Sequence, residues 1–158
     1  MKFLPLLALI LSSCAVSNFT DRNYLPEEIV DLSRMELTEI PPEIFEKSNI
    51  KVLRLFKNEL TEIPPEIAKL TSLEKLYLGS NSLKSLPKEI GALQNLKILS
   101  VSYNDLDSLP SEVGMLYNLE QLWAKQNNLQ ALPDEICVLQ KLENLQLQFN
   151  QLKSLPEM

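Results

Sequence analysis

Histidine is absent from the 158-residue sequence, and only three glycines occur in it. Without histidine, the Ser-His and Cys-His catalytic arrangements and all imidazole metal sites are excluded. Three glycines are too few for a glycine-rich loop that cradles phosphate groups. Nothing in this composition favours an enzyme, and we predict neither a cofactor nor a metal site.

Cysteine is also scarce, and basic residues are outnumbered by acidic ones. With 15 basic and 21 acidic residues the formal charge is −6, which argues against binding nucleic acid or an anionic membrane surface through bulk electrostatics. Cys14 and Cys137 could form one disulfide, but the residues around Cys14 favour a different role.

The amino-terminal apolar run is short. It covers Phe3 to Leu11, which suits a secretion signal and cannot span a bilayer. The residues that follow, Leu11-Ser12-Ser13-Cys14, resemble the bacterial lipobox. That resemblance implies cleavage before Cys14 and acylation of Cys14, for example with palmitate, and several acyl chains give a stable membrane anchor. Ordinary secretion with cleavage after Ala15 is the alternative, because Ser13 and Ala15 are also small.

The lipobox resemblance divides the chain into three parts. It predicts a signal peptide over residues 1–13, a lipidated cysteine with a polar tether over residues 14–24, and a folded domain over residues 25–158. Alanine rather than aspartate follows Cys14, which by the same resemblance implies the outer membrane or cell surface of a bacterium. The predicted location is therefore the bacterial cell envelope.

A 23-residue repeat fills the chain from about residue 27. Its consensus is LxxLxLxxNxLxxLPxEIxxLxx, with units beginning at Ile50, Leu73, Leu96, Leu119 and Leu142 and a weaker copy at Glu27. This pattern resembles the leucine-rich repeat family in its LPxEI form. The resemblance implies an α/β solenoid curved as a horseshoe, with a parallel sheet on the concave face and short helical or 3-10 turns on the convex face.

Each repeated position has a predicted structural role. The xLxLx segment alternates and predicts one short strand per repeat, whose leucines form a core when the repeats stack. The asparagine is expected to bond backbone groups of adjacent coils, and the proline to begin a convex helical turn with the following glutamate near its positive end. Cys137 takes a slot held elsewhere by alanine or glycine, so we predict that it is small, structural and partly buried.

The concave face is the predicted functional surface. Large aromatic residues fall in strand positions where folding alone would accept almost any residue, and basic residues lie near them, which is the composition of an interface hot spot. The predicted partner-binding residues are Arg54, Phe56, Tyr77, Tyr103, Trp123, Lys125 and Phe149. Proteins of the resembled family bind other proteins on this face, so we predict a non-catalytic protein-binding scaffold with an unidentified protein partner.

Two alternatives remain open at this point. The aromatic rings could stabilise the sheet through contacts between neighbouring strands, without any ligand. The last repeat ends before its helical half, so Leu142, Leu145, Leu147, Leu152 and Leu155 are expected to be partly uncovered. This edge predicts, as the alternative function, an envelope protein that assembles with itself as a homo-oligomer. At the other end, Tyr24 to Ile29 predicts a short helical turn that closes the core.

Overall fold

The computed structural model describes residues 23–156 as one stack of coils. Predictions for Cys14, the signal peptide and most of the tether lie outside the described residues. None of the helices within residues 23–156 has the length and apolar character needed to cross a membrane. Within the same residues, no three acidic or cysteine side chains are grouped so that they could hold a metal ion.

Six three-residue strands form one parallel sheet in the order of the chain. Neighbouring strands pair with a shift of one repeat, as in Leu76 with Leu99 and Leu99 with Leu122, so the 23-residue register of the sequence is the register of the sheet. The strands are β1 (Ile29–Asp31), β2 (Val52–Arg54), β3 (Lys75–Tyr77), β4 (Ile98–Ser100), β5 (Gln121–Trp123) and β6 (Asn144–Gln146). The predicted solenoid with one strand per repeat is therefore confirmed.

Short 3-10 helices alternate with the strands along the chain, and all but the first lie on the side opposite the sheet. They are η1 (Pro26–Glu28), η2 (Pro42–Glu46), η3 (Pro65–Lys69), η4 (Lys88–Ala92), η5 (Ser111–Met115) and η6 (Asp134–Val138). From η2 onward each helix starts directly after a repeat proline, and the repeat glutamate lies in its first turn. Proline fixes φ for the turn, and the acidic side chain lies near the positive helix end, as predicted.

The core is a continuous stack of repeat leucines between the sheet and the helices. Leu76, Leu99 and Leu122 from successive strands are all fully buried, and so are the leucines that begin the repeats from Leu73 to Leu119. One coil cannot bury these side chains alone, because each coil covers the apolar face of its neighbour. Val30 replaces leucine in the first repeat and is buried in the same way.

The repeat asparagines form a ladder of hydrogen bonds between coils. The side-chain amide of Asn104 donates to the carbonyls of Leu78 and Val101 at 3.0 Å, and its oxygen accepts the Leu83 N–H at 3.0 Å. Asn58, Asn81, Asn127 and Asn150 repeat this arrangement. The first repeat has Met35 in the asparagine position, and there the Met35 N–H donates to Asn58.

The two ends of the stack differ from its middle. The predicted amino-terminal helical turn is present as η1, and none of its own residues is buried. At the other end Leu145 is 39% and Leu155 is 65% exposed, while Leu142, Leu147 and Leu152 are half-buried. The predicted uncovering of the last repeat is confirmed.

The prediction that Cys137 is partly buried is wrong, because its side chain is exposed. In the preceding repeats this slot is covered by the next coil, and the space beside Gly114 is filled by Glu135. Cys137 lies on η6, and no further helix packs on η6 within residues 23–156. The environment of the slot is set by the following coil rather than by the residue in it.

Candidate functional site

The end of each strand and the loop after it contribute three outward positions per repeat to the concave face: the last strand residue, the second residue after it, and the third. In chain order these are Asp31, Ser33, Arg34, Arg54, Phe56, Lys57, Tyr77, Gly79, Ser80, Ser100, Ser102, Tyr103, Trp123, Lys125, Gln126, Gln146, Gln148 and Phe149. Corresponding positions lie on paired strands, so they align across the sheet about 4.8 Å apart. All seven predicted binding residues belong to this set.

Three of the predicted aromatic residues, Phe56, Tyr77 and Trp123, pack closely against the sheet. The ring centroids of Tyr77 and Trp123 are 6.4 Å apart although β4 runs between their strands. Two strand spacings amount to about 9.6 Å, so the rings lean toward each other above Ser100, which is buried. A carbon placed on Gly79 would come within 3.4 Å of the Phe56 ring, so Phe56 lies close against Gly79 in the same way.

Trp123 is therefore less accessible than its outward position suggests. Its side chain is half-buried, and its indole Nε1 is buried with no hydrogen-bond partner among residues 23–156. One explanation drawn from the sequence was that the rings stabilise the sheet by contacts across strands. Such contacts explain part of the reason why Tyr77 and Trp123 occupy this face. The small residue between them is what lets the rings meet.

Tyr103 and Phe149 form a different cluster with Lys125. Tyr103 is 46% and Phe149 is 73% exposed. The Lys125 ammonium lies 5.9 Å from the Tyr103 ring centroid and 5.5 Å from that of Phe149, so it is held between two ring faces. We call Tyr103, Lys125 and Phe149 the aromatic clamp. It is the most exposed aromatic part of the concave face.

Both rings of the aromatic clamp stand on left-handed backbone. The residue before each ladder asparagine has a positive φ, which is 60° at Tyr103 and 61° at Phe149. The same position holds Arg34, Lys57, Ser80 and Gln126 in the other repeats, and none of the six equivalents is glycine. Bulky residues rarely adopt this conformation, because their Cβ approaches the following carbonyl oxygen.

Arg54, the remaining predicted residue, is buried on the concave face. Its guanidinium pairs with Asp31 at 3.2 Å across the β1–β2 boundary, so its charge is partly neutralised by the neighbouring strand. Lys57 is exposed, with its ammonium 5.4 Å from the Phe56 ring centroid. The Arg54–Asp31 pair was not predicted, although two opposite charges one repeat apart in the same slot could have indicated it.

A second row of charges runs along the edge where the strands begin. Glu28 pairs with Lys51 at 2.8 Å and Glu74 with Lys97 at 2.6 Å. The Lys51 ammonium, and secondly the Leu25 N–H, hold the pKa of Glu28 below its ordinary value, and Glu28 in turn raises the pKa of Lys51. Signs alternate in this slot from Glu28 to Lys97, which favours the stacking register over this part of the edge.

Three small residues on the concave face have a role that sequence reasoning missed. Gly79, Ser100 and Ser102 occupy positions that hold rings or long side chains in other repeats, and all three are buried. They leave the space over which the Phe56, Tyr77 and Trp123 rings lie. The signal was present as small residues flanked by aromatic ones in the same slot of adjacent repeats.

Comparison with known proteins agrees with this geometry. A sequence profile described as a leucine-rich repeat region matches residues 76–158, and one for two copies of leucine-rich repeats matches residues 48–89. No match was found among curated proteins. Among solved structures, the chain is similar to a leucine-rich repeat protein of Leptospira interrogans, with 32% sequence identity and a TM-score of 0.62. The match covers 95% of this chain and 53% of that protein, so the chain spans about half its length.

A second similar structure comes from a plant. It is the leucine-rich repeat ectodomain of the membrane receptor kinase GASSHO1/SCHENGEN3 of Arabidopsis thaliana, in complex with Casparian Strip Integrity Factor 2. The identity is 35% and the TM-score 0.67, and the match covers 74% of this chain and 14% of the receptor chain. Since the first profile spans more than half of the sequence and all six strands pair in the repeat register, the chain belongs to the leucine-rich repeat family.

Proposed function

We propose that this protein is a non-catalytic scaffold that binds another protein on its concave face. The observation that carries the proposal is the aromatic clamp, whose two rings are exposed and stand on backbone that disfavours aromatic residues. The positive φ itself belongs to every coil, but the fold gains little from placing rings at these two positions. Exposed aromatic residues beside a cation are typical of the residues that dominate binding energy.

The family supports the same conclusion in general terms. Leucine-rich repeat domains generally bind protein partners, and the similar plant ectodomain is in complex with another factor. Family membership does not by itself give the function of one member, because function depends on particular surface residues. The proposal therefore rests on the clamp, and the Tyr77–Trp123 pair forms the floor beside it.

Replacing both clamp rings by asparagine tests the proposal. A photo-crosslinker at Gln126 first identifies the partner, which is then purified and titrated against the Tyr103→Asn, Phe149→Asn double variant. We expect binding to weaken by at least about tenfold, because exposed aromatic anchors supply much of the interface energy. The melting temperature should not fall, because asparagine tolerates left-handed backbone better than tyrosine or phenylalanine.

The matched control is the Tyr117→Asn, Val138→Asn double variant. Tyr117 and Val138 are comparably exposed, at 57% and 52%, but lie on the helical side of the solenoid. This variant should bind the partner as the unmodified protein does. If the clamp variant binds the partner as well as the unmodified protein does and the Tyr117→Asn, Val138→Asn variant does not, the partner binds the helical side. The proposal then fails.

Self-association through the carboxy-terminal edge is a second candidate function. It is favoured by the exposure of Leu145 and Leu155 and by β6, which has a paired neighbour on one side only within residues 23–156. Sedimentation of the clamp variant separates the two functions. A mass that rises with concentration and is unaffected by the clamp substitutions supports self-association, whereas a monomer that has lost its partner supports the scaffold.

We further propose that the scaffold is anchored by lipid on Cys14 in a bacterial envelope, because Leu11-Ser12-Ser13-Cys14 resembles a lipobox. Expression in a diderm bacterium should yield a chain that begins at Cys14 with acyl chains attached, as measured by intact mass. Cys14→Ser should abolish both cleavage and acylation at this site, because the serine hydroxyl is a far weaker nucleophile than a thiolate. An unmodified chain that begins at Val16 would instead establish ordinary secretion.

A further inference from the structure

We infer that the segment seated on the concave face is acidic and extended, with two carboxylate side chains four residues apart that pair with Lys57 and Lys125. This inference rests on the proposed function and deepens it by giving the partner its chemistry. It follows from the distribution of charge over the molecule, from the geometry of the aromatic clamp, and from the spacing of the two lysines across the sheet.

The concave face is a basic surface on an acidic protein. Its eighteen positions hold four basic residues, Arg34, Arg54, Lys57 and Lys125, and a single acidic one, Asp31. Twenty of the 21 acidic residues therefore lie elsewhere in the chain. A positively charged surface on a protein of negative net charge attracts a negatively charged partner to that surface and orients its approach.

The basic residues along the sheet differ in whether they form an ion pair. Lys51 and Lys97 on the edge row are each paired with a glutamate, and Arg54 is paired with Asp31. None of the ion pairs formed within residues 23–156 includes Lys57 or Lys125. On the concave face, Lys57 and Lys125 are thus two cations available to an incoming carboxylate. Arg34, one coil before Lys57, is a third at the amino-terminal end of the face.

Lys125 is held in an orientation suited to an anion. Its side chain is half-buried, and its ammonium is attracted to the ring faces of Tyr103 and Phe149. Rings on two sides reduce the access of water without removing the charge. A carboxylate that reaches this ammonium forms a charge-assisted hydrogen bond in a less polar setting than bulk water, where such bonds are stronger.

The spacing of the lysines determines the spacing of the acidic residues. Lys57 follows β2 and Lys125 follows β5, so their backbone positions are three strand spacings, or about 14 Å, apart. An extended chain advances about 3.3 Å per residue, so four residues cover this distance. Side chains alternate in direction along such a chain, so residues four apart point to the same side. The residue midway between them points to the same side and would meet the Phe56 ring, which lies against Gly79.

The same charges disfavour a nucleic acid. A phosphate chain carries a charge at every residue and gains its affinity from many cations in a row. The concave face instead offers a few separated cations beside uncharged rings, and the protein as a whole is acidic. Two widely spaced carboxylates on an otherwise uncharged segment match this pattern, whereas a continuous polyanion does not.

A designed peptide tests the inference directly. The probe has seven residues, blocked ends, glutamate at positions two and six, leucine at position four, and glycine or serine elsewhere. Trp123 is the only tryptophan in the sequence and lies on the concave face, so its fluorescence reports binding of this peptide to the complete chain. Lys125→Gln and Lys57→Gln are each expected to weaken binding by roughly five- to tenfold, since each removes a hydrogen bond to a charged group.

Matched controls separate this recognition from general attraction. Lys88→Gln, at an exposed lysine on η4, should bind the peptide as the unmodified protein does, and Lys125→Arg should retain most of the affinity. A peptide of the same composition with adjacent glutamates should bind at least about fivefold more weakly, because only one carboxylate can then reach a lysine. Stronger binding of the lysine-containing counterpart or of a single-stranded oligonucleotide would overturn the inference.

The outcome is distinguishable from that of the proposed function. If the captured partner requires the aromatic clamp while neither glutamate peptide binds, the scaffold function stands and the acidic recognition fails. Equal binding of the two glutamate peptides would refute the four-residue spacing. Loss of both partner and peptide in the Tyr103→Asn, Phe149→Asn variant, together with the lysine effects, supports both.

Discussion

Replacing Asn104 with alanine is expected to lower the free energy of unfolding by about 3 kcal/mol. The Asn104 amide is buried and serves the backbone of two coils, donating to Leu78 and Val101 and accepting from Leu83. Alanine leaves these three buried backbone groups without their side-chain partner. Urea denaturation followed by circular dichroism and Trp123 fluorescence measures the change.

Asn118→Ala is the matched control for this prediction. Asn118 also donates from its side-chain amide to a backbone carbonyl of the preceding coil, that of Gln94 at 2.8 Å, but this bond is exposed. Water can satisfy the Gln94 carbonyl in the variant, so a loss below about 1 kcal/mol is expected. Equal destabilisation by both substitutions would show that burial of the ladder contributes nothing beyond the hydrogen bonds themselves.

Gly114→Ala is expected to destabilise the protein by roughly 2–3 kcal/mol. A carbon added at Gly114 would lie 2.4 Å from the Glu135 Cβ and 2.6 Å from the Glu135 carbonyl oxygen. None of the glycines has a positive φ, so the glycine is needed for space and not for backbone conformation. Alanine would have to push η5 away from η6, and the packing of leucines beneath both helices would loosen. A lowered urea midpoint measures this effect.

The equivalent position one coil later provides the control. Cys137 occupies the same slot on η6 and is exposed, so Cys137→Ala should leave the urea midpoint nearly unchanged. Ala68 occupies the slot on η3 in the natural sequence, so the local backbone accepts a Cβ where the next coil leaves room for it. A neutral result for Gly114→Ala would mean that the coils can separate at little cost.

Most of the architecture was predictable because the repeat fixes it many times over. Leucines every few residues, with asparagine, proline and glutamate in constant positions, allow one way of stacking that buries every leucine. The strand register follows directly, since a shift by one residue would turn Leu99 and its equivalents toward solvent. The membership of the concave face follows from the same alternation.

The candidate site was predictable in its membership but not in its arrangement. Sequence position placed Trp123 and Phe149 on one face alike, yet one is half-buried beside Tyr77 and the other is 73% exposed. The difference comes from neighbours one repeat away: Ser100 lets two rings lean together above it. Similarly, the sequence predicts that Arg54 contacts a partner, but in the structure its guanidinium pairs with Asp31 on the neighbouring strand.

The sequence by itself determined the coil, its 23-residue length, its buried leucines and the face left outward, because these depend on periodicity and on side-chain polarity alone. Tertiary structure alone decided which outward rings stand free, which charges are neutralised, and why Cys137 is exposed while Gly114 is enclosed. The physical reason is that each of these properties belongs to a contact between coils, and a contact is set by the neighbouring coil as much as by the residue itself.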